Sequence, residues 1–366
     1  MKSIKYKNYE IIISKRETIS NSLNIAVTVG AILASIGLVS VLLTAYGVSP
    51  LEAFQIGISY VLSASGISGL IIRAIPLLLV GLSVYIPYRA GLYNIGGGAG
   101  IYAGGITAAA IGISTPGIGR LSFILSLLGG AIVGAIVLVI PGLLRAYADT
   151  NEILTTLLLT FIFIRLNNYA VTLMLADGGT LVGKRIVEGA VSPTLGGSSI
   201  HIGLFLAILA FAFSYILFRR MRFGYEIDMF GGNKSAAIRA GINDKKIIIG
   251  TFIIAGILSG LAGASEVVGL HGRLLPNFSP GYGFTAVAIA VIGRDSLFRV
   301  LGATLLFAFV YIWGARVELL LSVPTAIIGV FEATIILFFL VGEGIINYNL
   351  SLKKVVKTNT KEVISV

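Results

Sequence analysis

The sequence contains no cysteine among its 366 residues, which excludes disulfides, thiolate metal ligands and cysteine nucleophiles. Histidine is nearly as scarce. His201 and His271 are the only two, too few and too far apart to suggest a metal centre. Charged residues make up only 12%, against about 25% in ordinary soluble domains, so the usual solvated surface is missing. No stretch resembles a catalytic triad or the carboxylate pair of a glycosidase. The net charge of +11 comes without aromatic residues interleaved in a basic patch, so nucleic acid is not an expected partner.

What remains is apolar. Hydrophobic residues make up 56% of the chain and fall in runs of roughly twenty, the length a helix needs to cross about 30 Å of hydrocarbon. The runs show no period-two alternation, and each must satisfy its own backbone hydrogen bonds, so helices are expected rather than a barrel. The first sixteen residues are polar, with Lys2, Lys5, Lys7, Lys15 and Arg16, and the next apolar run is of full spanning length. The N-terminus therefore does not read as a cleavable signal peptide.

The expected fold is an all-α integral membrane protein of about ten transmembrane helices, embedded directly in the lipid bilayer. They are placed near 23–46, 67–88, 91–113, 121–147, 152–175, 199–218, 247–268, 284–293, 299–314 and 324–341. The short eighth span reads as a crossing or as a broken, re-entrant segment. Residues 51–64 read as an amphipathic helix along the membrane surface. With ten crossings and cytoplasmic N- and C-termini, twenty of the 27 Lys and Arg residues fall on the cytoplasmic side. Five fall outside, a bias of the sign that sets membrane orientation. The organisation is then a cytoplasmic segment 1–22, a membrane domain 23–342 and a basic cytoplasmic tail 343–366, with two long loops, 176–198 outside and 219–246 inside.

The inner loop carries the most information. It reads either as a solvated connector or as a docking surface. A short helix from Lys234 to Ala240 is bounded by Gly231-Gly232-Asn233 and Gly241. Asn233 suits an N-cap, and Gly241 suits the left-handed residue that ends a helix. Ala236, Ala237 and Ala240 give it a small-residue face that another protein can approach closely. Gly231-Gly232-Asn233-Lys234-Ser235 is not a phosphate loop, because Asn233 stands where a glycine must precede the lysine.

Within the membrane, seven glycines between Gly91 and Gly105 read either as tight helix packing or as a helix broken at membrane depth. In the second reading, Asn94, Gly96 and Gly97 border a solute pathway or pin the break. Arg73, Arg165, Glu266 and Glu332 lie within helices, where ionisable groups are costly. Internal pairing, for example of Arg165 with Glu332, is one account. A pathway role for Glu266 beside the outer loop is another. Tyr282 and Phe284 flank a Gly281–Gly283 hinge, and Tyr282 suits either a ring-shaped solute or an interfacial anchor. Asn151 and Glu152 read as caps or as gating groups.

The Gly-x-Asn-x-x-Ala-Ala-x-x-Ala-Gly-Ile pattern of Gly231 to Ile242 resembles the coupling segment of ABC import permeases serving ribose, nucleosides and branched-chain amino acids. Gly91-Leu92-Tyr93-Asn94-Ile95-Gly96-Gly97 resembles the signature on that group's third helix. Asn151-Glu152-Ile153-Leu154-Thr155-Thr156-Leu157 is similar to a landmark on its fifth helix. Glu266 to Arg273 and Ser279 to Ala290 resemble the nucleoside, or simple-sugar, branch. In relatives, Glu-Gly-Gln usually follows the third-helix signature, where this chain has Gly98-Ala99-Gly100.

The resemblance implies a permease that pairs with itself or with a second, similar permease. An ATP-binding subunit would dock on Gly231, Asn233, Ala236, Ala237, Ala240 and Gly241, and an extracytoplasmic solute-binding protein would deliver substrate. This chain would bind no cofactor and would not be an enzyme, since ATP and Mg are used by the partner subunit. Nucleosides lead as substrate, with sugars and branched-chain amino acids as alternatives. A secondary transporter driven by an ion gradient is the rival reading, and it calls for clustered mid-depth carboxylates.

Overall fold

A computed structural model describes residues 2–354 apart from 7–8, 16–20, 175–176, 179–181, 280 and 295. Arg16, Pro280, part of the 176–198 loop and the tail beyond residue 354 thus lie outside the described residues. The chain divides into two units, residues 1–47 with 329–366 and residues 48–328.

In chain order the helices are α1 Asn21–Ala45, α2 Pro50–Val61, α3 Ala64–Arg89, α4 Gly97–Ser114, α5 Leu121–Ala148, α6 Glu152–Tyr169, α7 Gly203–Arg220, α8 Arg222–Gly232, α9 Lys234–Arg239, α10 Asp244–Ser265, α11 Tyr282–Gly293, α12 Leu297–Leu321 and α13 Thr325–Asn347. Two π-helical segments, Ala170–Met174 and Glu266–His271, extend α6 and α10. Nine helices among the described residues are long and apolar enough to span a membrane. The membrane-spanning part of this multi-pass protein is therefore all helical.

The first unit holds α1 and most of α13. Its terminal segments form a three-stranded antiparallel sheet, ordered β1 (Lys2–Tyr6), β2 (Tyr9–Lys15) and β3 (Tyr348–Lys354). Chain-end pairing of this kind leaves no signal in membrane-span hydropathy.

In the second unit α10 is the central helix, packed on α3, α4 and α5. Glycine allows that packing. A Cβ at Gly260 would lie 2.2 Å from the Gly130 carbonyl oxygen, one at Gly134 2.3 Å from that of Gly256, and one at Gly104 2.1 Å from that of Gly260. Backbone thus meets backbone where α4, α5 and α10 converge, the close approach that small residues permit in lipid.

Two of the expected spans change their bounds, and the short eighth span is short as expected. The third helix starts at Gly97 rather than 91, because residues 91–96 are held in a non-helical turn. The ninth continues to Leu321, past Arg316, whose guanidinium lies 4.6 Å from the centre of the Tyr60 ring on α2. α11 has only 12 residues, about 18 Å at 1.5 Å per residue and short of the hydrocarbon thickness. α2 is the amphipathic helix expected near 51–64. Ser49 caps it, and Phe54 stacks on Trp313 of α12 with ring centres 5.1 Å apart.

Candidate functional site

The turn between α3 and α4 is built by one amide side chain. Asn94 is buried, its Oδ1 accepts the Gly96 N–H at 2.8 Å, and its Nδ2 donates to the Ser83 carbonyl at 3.4 Å. The Ile95 N–H donates to Thr156 Oγ1 at 3.2 Å, and Thr160 Oγ1 donates to the Ile95 carbonyl at 3.3 Å. These contacts stand in for the helical hydrogen bonds that the turn forgoes. Gly96 has no room for a side chain, since a Cβ would lie 2.9 Å from Leu138 and 3.0 Å from Asn94 and Thr156. Gly97 packs on Val80.

Beyond this turn lies a cavity of about 240 Å³, lined by Ile95 of the turn, Gly98 and Tyr102 of α4, Thr160 and Ile164 of α6, and Asn277, Ser279, Gly281, Gly283 and Phe284. Gly98 holds it open, because a Cβ there would meet Thr160 Cγ2 at 2.7 Å. Tyr102 donates to the Ser279 carbonyl at 3.1 Å, and its ring meets Phe278 edge-on. Phe284, half exposed, is part of the wall. None of the described residues lining the cavity is acidic.

Tyr282 and Glu266 take other positions. Tyr282 is fully buried. Arg73 of α3 donates to its hydroxyl at 2.5 Å, and its ring meets that of Tyr311 edge-on. Glu266 is also buried, at the α10 π segment, with its carboxylate 3.0 Å from His271 Nε2. His201 Nδ1 accepts the Gly203 N–H at 3.2 Å, and the ring fills the space beside Gly269. Burial lowers the His201 pKa, an effect the nearby Glu266 charge partly opposes. Glu266 thus belongs to a packed polar cluster, whereas Phe284, close to Tyr282 in sequence, borders open space.

The loop expected to dock a partner forms two helices at a corner. α8 ends at Gly232, and Asn233 Oδ1 accepts the Ala236 N–H at 3.0 Å to start α9. Gly241, at φ +85°, follows the last turn in the left-handed conformation. Ala237 is buried, and it anchors the short helix while Ala236, Ile238 and Ala240 stay exposed. At Gly231 a Cβ would lie 2.0 Å from the Arg89 carbonyl oxygen, so this glycine is where the corner seats on the end of α3.

At the start of α6, Asn151 Oδ1 accepts the N–H groups of Ile153 at 2.9 Å and Leu154 at 3.3 Å. Glu152 is buried 3.2 Å from Arg145 Nε and accepts the Tyr93 N–H at 3.5 Å. Asn151 therefore caps the helix and Glu152 ties it to the 91–96 turn. Sequence reasoning missed Thr156 and Thr160, whose i, i+4 spacing on α6 marked one face. It also missed Tyr102, Arg89 and Asp228.

Residues 66–340 match the family described as branched-chain amino acid transport system / permease component. The chain is 33% identical over 361 residues to the glucose ABC transporter permease protein TsgB13 of Haloferax volcanii, covering 94% of each chain. It is 32% identical to the nucleoside ABC transporter permease protein NupB of Lactococcus lactis, covering 92% of this chain and 94% of the relative. The guanosine ABC transporter permease protein NupP of Bacillus subtilis is 31% identical, with 72% and 77% covered. No solved structure matches the chain.

Proposed function

We propose, from the premise that the chain belongs to the branched-chain amino acid transport system / permease component family, that it moves a small polar solute into the cytoplasm by ATP-driven alternating access. It is an ABC transporter permease of the sugar and nucleoside group and a multi-pass protein of the plasma membrane. A nucleoside is the leading solute, with sugars next, as the names of the relatives suggest.

The observation that carries this reading is a juxtaposition. A capped, exposed α9 sits on a corner seated against the end of α3, and the next few residues form the turn that walls the cavity. A separate ATP-binding subunit, which holds ATP and Mg and carries out hydrolysis, docks on α9 around Ala236 and Ala240. The capped helix is short and rigid enough to pass on its displacement. A second permease, or a second copy, completes the pathway, and an extracytoplasmic binding protein supplies the solute. The cavity suits an uncharged ligand. It offers the Tyr102 and Thr160 hydroxyls, the rings of Tyr102 and Phe284, and no carboxylate among its described residues.

Purification from native membranes in mild detergent, with mass spectrometry of what co-purifies, tests the assembly. Uptake of labelled guanosine and labelled glucose into vesicles tests the cargo. Recovery of an ATP-binding subunit together with ATP-dependent uptake of either solute supports the reading. Isolation of this chain alone, with uptake that collapses when the ion gradient is dissipated, overturns it in favour of a secondary transporter.

A further inference from the structure

The α8–α9 corner touches the membrane domain at a joint that includes an ion pair. Arg89, the last residue of α3, lies 2.7 Å from Asp228 of α8, with side chains 18% and 34% exposed. The same guanidinium donates to the Tyr85 hydroxyl at 2.8 Å and lies 4.9 Å from the centre of the Phe218 ring on α7. Beside it, Gly91 at φ +72° faces Gly231, with its Cβ position 3.7 Å from the Gly231 Cα. From Gly91 the chain runs directly into the Asn94 turn and the cavity wall at Ile95 and Gly98.

Two properties make this joint mechanical rather than merely cohesive. The path from Asp228 to the cavity wall is short and stiff, because Tyr93, Asn94, Ile95 and Gly96 are each held by a hydrogen bond. The pair also has room to move. A cavity of about 170 Å³ and another of about 360 Å³ are each lined by both Arg89 and Asp228. A partly solvated pair beside open space can separate and re-form without repacking a core, unlike side chains in a close-packed interior.

We propose that the Arg89–Asp228 pair, with the Gly91–Gly231 contact beside it, is the joint that passes displacement of α9 to the 91–96 turn and so changes access to the cavity. These are positioning residues, since neither lines the cavity beyond the 91–96 turn. The proposal rests on the reading that an ATP-driven subunit docks on α9.

The lack of native cysteine permits a test that needs no knowledge of the solute. Phe284→Cys puts one thiol in the cavity wall of the full complex, reconstituted with its ATP-binding subunit. The rate of labelling by a membrane-impermeant charged maleimide is then compared without nucleotide and with ATP plus vanadate. In the Phe284→Cys parent the two rates should differ several-fold. Asp228→Asn, nearly isosteric, should bring the two rates together while the complex is still recovered. Arg89→Asp should do the same, and Arg89→Asp combined with Asp228→Arg should restore the difference, which a purely structural role does not predict.

Full nucleotide dependence in an intact Asp228→Asn complex would overturn the joint and leave the docking reading standing. So would failure of the exchanged pair to rescue. A parent whose labelling ignores nucleotide would instead overturn the ATP-driven reading itself. Should Arg89→Asp fail to assemble, Gly231→Ala supplies the second perturbation. Its Cβ must push the corner off the Arg89 carbonyl, and the ratio of the two rates should fall. An unchanged ratio there counts against the joint.

Discussion

Gly260→Ala adds one methyl group where the backbones of α5 and α10 cross in close contact. The new Cβ would sit 2.2 Å from the Gly130 carbonyl oxygen and 3.1 Å from the Gly134 Cα, where ordinary contact begins at 3.4 Å. Neither obstacle is a flexible side-chain end, so α5 and α10 must move apart by about 1 Å, a gap that forfeits a quarter to a half of the attraction of each atom pair across it. Overpacking of this kind costs about 1–3 kcal/mol. Taking ~2 kcal/mol and about 1–2 °C per kcal/mol for a chain of this length, the apparent Tm in detergent should fall by about 2–4 °C. Gly302→Ala on α12 is the control, because nothing lies within 4 Å of its Cβ position. It should leave Tm unchanged or raise it, since alanine favours a helix by ~1 kcal/mol over glycine. Thermal unfolding followed by size-exclusion chromatography measures both. A Gly260→Ala protein as stable as its parent would refute the backbone-contact account of how α5 and α10 pack.

Asn94→Ala should leave the buried Gly96 N–H without its acceptor, at a cost of about 1–3 kcal/mol. It should lower solute uptake by more than it lowers membrane expression, measured side by side, whereas Asn94→Asp keeps the acceptor and should retain more activity. Asn233→Ala removes the α9 N-cap, worth ~1 kcal/mol. Less ATP-binding subunit should co-purify, and Asn233→Ser should restore recovery. For His201, burial lowers the folded pKa, so the unfolded chain binds more protons as pH falls below about 6.5. Its stabilising contribution is therefore present above that pH and lost on acidification. Tm measured from pH 8 to pH 5 should fall less steeply in His201→Gln than in the parent.

The spans were legible because a hydrocarbon layer imposes length on any helix that crosses it, whatever that helix packs against. Capped ends were legible for a different reason. Asn151 and Asn233 act on N–H groups two or three residues away, so cause and effect share one stretch of sequence. Where the third helix starts was not legible, since hydropathy is blind to whether Gly91–Gly96 is coiled, and the deciding contacts come from Ser83 and Thr156 on other helices. Arg316 ended an apolar run in the sequence, yet Tyr60 lets the helix continue past it. Tyr282 suited a pathway ring by its motif, but its hydroxyl is taken by Arg73, 209 positions away. Each missed feature depends on a partner remote in the chain, as does the Arg89–Asp228 pair.

α4 and α11 both begin beside the cavity, and their first turns meet, since a Cβ at Gly283 would lie 2.5 Å from the Gly98 nitrogen. Each helix start carries roughly half a positive elementary charge from its aligned peptide dipoles. Two such ends meeting beside one pocket contribute a positive potential, with no charged side chain among the described lining residues. A potential of that sign favours oxygen atoms over cations at the same place. The polarity of the pocket is thus set in part by the backbone of two helix starts, an electrostatic lining that no side chain supplies.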